Sequence, residues 1–297
     1  MTAKAGAVYD LGYEPFDGER RGRSGARIAV WTDGLRRMLG IRRKARRKIL
    51  PWILVGLAVI PPIVAVGVAF LIPASIAEEI DLASQNAEFF QLAGTMTMLF
   101  TALSAPELLI PDRRDGVLSM LSSRPLTADD YLTARFASLL TIVASFLLLP
   151  QVVLFVGQAG SDSDGLFRGI VNAADSLPKI AIVAALYALA FVPLGFLVAA
   201  FSERKAIASS IYLAVMIGLA AIADAIVRNA TFAGAKWVAL TSPLDIADAA
   251  NAEIFGKSNA GSLMAVADIS PYVGVVSLLV IAVVATAVSA VRYRRVM

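Results

Sequence analysis

Six stretches of mostly apolar residues punctuate this chain of 297, near positions 50–74, 89–109, 136–157, 178–201, 207–227 and 271–291. A hydrocarbon core of about 30 Å takes roughly 20 apolar residues to cross as a helix. In lipid every backbone amide must find its partner within its own segment or in a closed barrel, and runs of this length fit only helices. The sequence therefore predicts an all-α integral membrane protein, a bundle of six transmembrane helices. Composition agrees: 58% of residues are hydrophobic and 17% charged, and the mean hydropathy is +0.72, well beyond what a water-soluble domain carries. The second stretch, with Gln91, several threonines and Pro106-Glu107, is the least apolar and is expected to face protein or a polar path rather than lipid.

Topology follows from the basic residues. With both ends on the cytoplasmic side, the inner segments hold 22 of the 27 Lys and Arg and the outer loops hold 5, the asymmetry that sets orientation in multi-pass proteins. Both termini are therefore expected in the cytoplasm. No cleavable signal sequence is read in the first 30 residues, which lack an apolar run before a small-residue cleavage site.

The same inventory excludes much chemistry. There is no cysteine and no histidine, so disulfides, thiol nucleophiles and imidazole bases are ruled out. No cluster of acids, lysines, serines or tyrosines suggests an intramembrane enzyme. The net charge of +4 sits beside the apolar spans, where anionic lipid head groups are the expected counter-charge and nucleic acid is not. Asn251 to Ser258 imitates the end of a phosphate-binding loop. Its first glycine is replaced by asparagine and no strand precedes it, so no nucleotide site is expected in this chain.

Two segments outside the spans carry local order. Ile28, Trp31, Leu35, Met38 and Leu39 recur at helical spacing between Arg27 and Lys48 among many cations, predicting an amphipathic helix on the inner leaflet with its Trp side toward lipid. This reading divides the chain into a cytoplasmic tail with an amphipathic helix, 1–49, and a membrane domain, 50–297. Between spans two and three, Thr127 with Asp130 forms a capping box and Leu126 with Tyr131 a hydrophobic staple, which predicts a helix starting there and running into span three. Upstream, Val117, Leu118 and Leu121 give a short helix an apolar face beside Arg113, Arg114 and Arg124. Such a face needs a partner surface or the chain's own bundle.

The run Asp112-Arg113-Arg114-x-Gly116-x-Leu118-x-x-Leu121-Ser122-Ser123-Arg124-Pro125-Leu126, followed by Tyr131-Leu132-x-x-Arg135, resembles the loop after the second span in ABC type-2 exporter permeases. Tyr9 to Gly18 and the basic helix behind it are similar to the start of actinobacterial members of that family. The resemblance implies a transmembrane permease subunit in the bacterial cytoplasmic membrane that exports a lipid, drug or other amphiphile. It also implies a separate ABC ATPase subunit that binds ATP and Mg, a second permease copy or sister permease, and no catalytic residue or cofactor in this chain. The loop would be the coupling helix, with Asp112, Arg113, Arg114, Gly116, Arg124 and Pro125 at or near the ATPase contact, and the basic helix would be the elbow helix.

Outside, Ser242-Pro243-Leu244-Asp245 is a helix start, with Ser as N-cap, Pro at N1 and Asp at N3. Glu107 near the inner end of span two and Asp224 near the outer end of span five are candidates for the transport path, since acids placed in spans are costly. Ala282, Thr286 and Ala290 offer a small-residue stripe for helix contact on the last span. An ion-coupled secondary transporter is the alternative function, though neither internal repeats nor mid-membrane charges support it.

Overall fold

A computed structural model describes residues 22–41, 46–71, 85–122, 126–161, 165–232 and 234–295. All regular elements among them are helical: α1 (Gly22–Met38), α2 (Arg46–Leu71), α3 (Asn86–Arg114), α4 (Val117–Ser122), α5 (Ala128–Gly160), α6 (Leu166–Ala173), α7 (Ser176–Phe201), α8 (Lys205–Asn229), a 3-10 turn (Ala235–Thr241), α9 (Pro243–Ile254), α10 (Leu263–Val266) and α11 (Pro271–Arg294). Six of them, α2, α3, α5, α7, α8 and α11, are long and apolar enough to span a bilayer. The chain is thus a multi-pass membrane protein by the length and composition of its helices.

Burial sorts these helices by composition in the direction expected for the second stretch. α3 has the lowest hydropathy of the six, 1.3, and 72% of its most apolar window is buried, as much as in α7. Its Thr97, Thr101 and Ser104 lie inside the bundle, where neighbouring helices rather than acyl chains surround their hydroxyls. In α2 and α8, only 17% and 22% of the window is buried, leaving residues such as Ile60, Val64, Ile217 and Ile222 facing outward. The polar span is central because lipid tolerates it least.

α3 and α7 pack along their length, with α5 beside both and α2, α8 and α11 outside. Two glycines set the α3–α7 approach. A Cβ at Gly195 would lie 2.7 Å from Thr101 Cγ2, and one at Gly94 the same distance from the Tyr187 ring. Aromatic pairs fill the remaining space: Phe100 with Phe146, centroids 4.6 Å apart, ties α3 to α5, and Phe136 with Phe196 at 5.3 Å ties α5 to α7. On α11 the buried stripe is Gly274, Leu278, Ala282, Ala285, Ser289 and Tyr293. Thr286 of the expected stripe is exposed, because the contact face at 3.6 residues per turn drifts past a strict spacing of four.

Several local expectations hold. Thr127 and Asp130 form the capping box and α5 starts at Ala128; Ser242 caps α9 with Pro243 in its first turn and Asp245 as the bonded donor. The imitation phosphate loop is a helix end: Asn251 is buried in α9, and Gly256, at φ +68°, closes the C-terminus. There the amides of Gly256 and Lys257 donate to the Glu253 and Ala252 carbonyls, a left-handed glycine cap.

α1 departs from expectation. Its Val30, Gly34 and Met38 are buried, and Trp31, Leu35 and Leu39 pack on the same core. The helix lies on α5 and touches α3, and Trp31 Nε1 donates to Thr141 Oγ1 at 3.3 Å. The Trp side thus faces protein rather than lipid. An apolar stripe specifies that a helix must be covered, not by what.

The two described ends of the chain meet. Arg23 of α1 donates to Asp130 and Arg294 of α11 to Asp129, at 2.7 and 2.8 Å. The end of the bundle that holds them is called the near end below, and the opposite one, with α6 and α9, the far end.

Candidate functional site

The near end is organised around a carboxylate that the sequence marks only as part of a loop. Asp112 stands in the last turn of α3 and its side chain is 1% exposed. Arg37 of α1 donates to Oδ1 at 2.5 Å, Arg135 of α5 to Oδ2 at 2.6 Å, and the Tyr131 hydroxyl to Oδ2 at 2.8 Å. Arg37 and Arg135 then both reach Asp33 of α1, at 2.7 and 2.9 Å. The result is a closed ring of four charges in alternating sign, Asp33, Arg37, Asp112 and Arg135, spread over three helices. Arg135, 2% exposed, also donates to the Val30 carbonyl at 3.2 Å and lies over the Tyr131 ring at 5.6 Å. Tyr131 stacks in turn on Tyr293 of α11, centroids 5.9 Å apart.

Isolated, either buried ion would be costly; closed on each other with hydrogen bonds, the charges compensate. What such a ring supplies is geometry: α1, α3 and α5 cannot slide past one another without separating desolvated charges. Arg113 extends the tie to α7. Its guanidinium donates to the Ala200 carbonyl at 2.5 Å and to Ser202 O, closing carbonyls at the C-terminus of α7, where a cation also complements the helix dipole.

The predicted coupling residues therefore divide. Asp112 is buried and Arg113 is turned inward onto α7, so both act within the chain. Arg114, with an 81% exposed side chain beside Asp115, and Gly116, at φ +69° in the tight α3–α4 corner, face outward with Met120 of α4. Arg124 and Pro125 lie outside the described residues. Glu107 pairs with Lys205 of α8, on the wall of a cavity of about 480 Å³ between α1, α2, α3 and α8. Arg37, Asp33 and Arg135 were absent from the predicted set, although Arg135 closes the quoted motif.

The far end differs. A cavity of about 540 Å³ is lined by Glu88, Asp224, Asp245 and Asp248 together with Arg228 and Lys257, Lys257 pairing with Glu88 at 3.7 Å. Asp224 is half-exposed and pairs with Arg228 one turn on, at 2.6 Å, which places it at the cavity rim rather than deep in a span. Asp248 accepts from the Tyr187 hydroxyl. Burial pushes its carboxyl up to about 6, with nearby Asp245 adding to the rise and the bonds from Tyr187 and Gln91 opposing it. Asn251 beside it donates to the Ala87 carbonyl at 2.8 Å, so α9 is tied into the start of α3. No group of acids suited to a metal ion occurs among the described residues.

A scan against family models finds no match, and a search of curated proteins finds none either.

Proposed function

We propose that the chain is the membrane-embedded permease subunit of an ATP-driven exporter, moving an amphiphilic or lipid-like molecule by alternating access. The observation that carries this reading is the near-end corner. A short helix outside the spans, α4, hangs from α3 and leads into α5, two helices locked by the Asp112 ring to α1 and by Arg113 to α7. A push on α4 is thereby delivered to four helices together, which is what a coupling element requires. The excess of Lys and Arg in the segments gathered at this end supports its placement on the cytoplasmic side, where ATP is. The separate ATPase would hold ATP and Mg, and this chain would contribute contact and leverage but no catalytic group.

Under this reading Arg114, Gly116, Met120, Arg124 and Pro125 touch the ATPase, while Asp112 and Arg113 transmit. The peripheral helices α2, α8 and α11, least covered by the rest of the chain, are the surfaces left for lipid and for a second permease copy or sister permease.

The test is co-purification from mild-detergent extracts of native membranes, comparing wild type with Arg114→Glu/Arg124→Glu. An ATPase subunit is expected with wild type. It is expected to fall at least about tenfold in the variant, roughly 1.4 kcal/mol of contact energy, with the thermal unfolding of the permease unchanged. Absence of any ATPase from wild type in several detergents would sink the exporter reading and favour ion-coupled transport.

A further inference from the structure

The geometry points to α6 as a second kind of membrane contact: a helix lying in the lipid–water interface at the far end, one side on the bundle and one in the acyl chains. Its eight residues, Leu166 to Ala173, advance about 100° each and sort into three arcs. Leu166, Ile170, Phe167 and Val171 occupy roughly 0° to 140°, Arg168 and Asn172 roughly 200° to 240°, and Gly169 and Ala173 roughly 300° to 340°.

Each arc has a distinct environment. Gly169 and Ala173 are buried, and Gly169 approaches the Ala159 carbonyl of α5 so closely that a Cβ would collide with that backbone. This contact fixes the depth of α6 at the last turn of α5. The apolar arc touches nothing comparable: Leu166 is 61%, Phe167 79% and Val171 59% exposed. Apolar residues on the preceding turns of α5, Val152 and Val156, are likewise more than half exposed. The polar arc lies on the opposite side of the helix from that apolar face.

Four clustered apolar side chains in water would be an uncompensated cost, and at this depth the nearest apolar medium is the acyl boundary of the far leaflet. A helix with an apolar side, a polar side and a small-residue side meets all three neighbours of an interfacial position at once: lipid, water and protein. Gly165, at φ +95°, turns the backbone into α6 in a conformation other residues rarely adopt. The inference needs only that the six long helices span a bilayer and is independent of the exporter reading.

Because the chain has no cysteine, single cysteines can be placed without background. The purified chain, carrying L166C, F167C, I170C, V171C, R168C or N172C with a nitroxide label, is reconstituted in phosphatidylethanolamine/phosphatidylglycerol vesicles. Collision rates with oxygen, which partitions into lipid, and with a polar nickel chelate, which stays in water, are then compared. The first four positions are expected to favour oxygen several-fold and the last two the chelate. The proposal is overturned if all six favour the chelate, which would stand the helix in water. It is equally overturned if the first four are shielded from both reagents, which would mean that a second copy covers the face.

Discussion

The two ends of the bundle use charge in opposite ways. At the near end, Asp33, Arg37, Asp112 and Arg135 balance and close on each other, although a cavity of about 510 Å³ opens beside Asp33, Arg37 and Asp112. At the far end, four carboxylates and two cations line a cavity of about 540 Å³, and one partly buried acid, Asp248, keeps its proton to a higher pH than usual. Matched buried charges hold helices in one arrangement, because any movement strands an ion. An excess of one sign around open space holds nothing so firmly, and its energy changes with protonation. One end is built to move as a piece, the other to change in place.

The comparison breaks most visibly at Asp112. Asp112→Ala leaves Arg37 and the buried Arg135 sharing only the half-exposed Asp33 as counter-charge, and a loss of about 3 kcal/mol is expected, read as a lowered thermal midpoint in detergent. Asp112→Ala combined with Arg135→Met should recover part of it, since the stranded cation is then gone.

At the far end the sign reverses. The folded pKa of Asp248, about 6, exceeds the value of about 4 for an unfolded chain. The folded state therefore binds the proton more tightly, and stability is gained as pH falls from 6 towards 4 and lost as it rises. Asp248→Asn should stabilise the protein at pH 7.5, by at most about 3 kcal/mol, with the difference shrinking to nothing near pH 4. A thermal-shift series over that range decides it. A destabilised variant at pH 7.5 would mean that the ionised carboxylate is needed and that the far end is as tightly matched as the near one.

The smallest effect sharpens the contrast by controlling for it. Arg228 pairs with Asp224 within one helix, both half-exposed, so Arg228→Gln is expected to cost less than about 0.5 kcal/mol. A larger loss would show that the rim of the far cavity is coupled to its floor.

What could be read beforehand was local. The Thr127–Asp130 box and the Ser242-Pro243-x-Asp245 start are patterns spanning four residues, and the structure has both. Hydropathy located all six spans but marked only their apolar parts: α5 runs from Ala128 to Gly160, well beyond 136–157, because its first two turns carry the charged Asp129, Asp130 and Arg135. The ring itself joins positions separated by 23, 75 and 102 residues. Nothing in the spacing of Arg37, Asp112 and Arg135 announces that three helices bring them together. For α1 the period of the stripe was legible, but the identity of the surface beneath it depends on tertiary packing.

The positions of the ring members also set an order of assembly. Asp33, Arg37, Asp112 and Arg135 have all left the ribosome before any residue of α7 is made, whereas the far end cannot close until Asp248 and Asn251 follow. During vectorial synthesis the charge-bearing helices can therefore neutralise one another as a three-helix intermediate. They would meet later helices as an already compensated unit rather than as separate ions waiting in the bilayer.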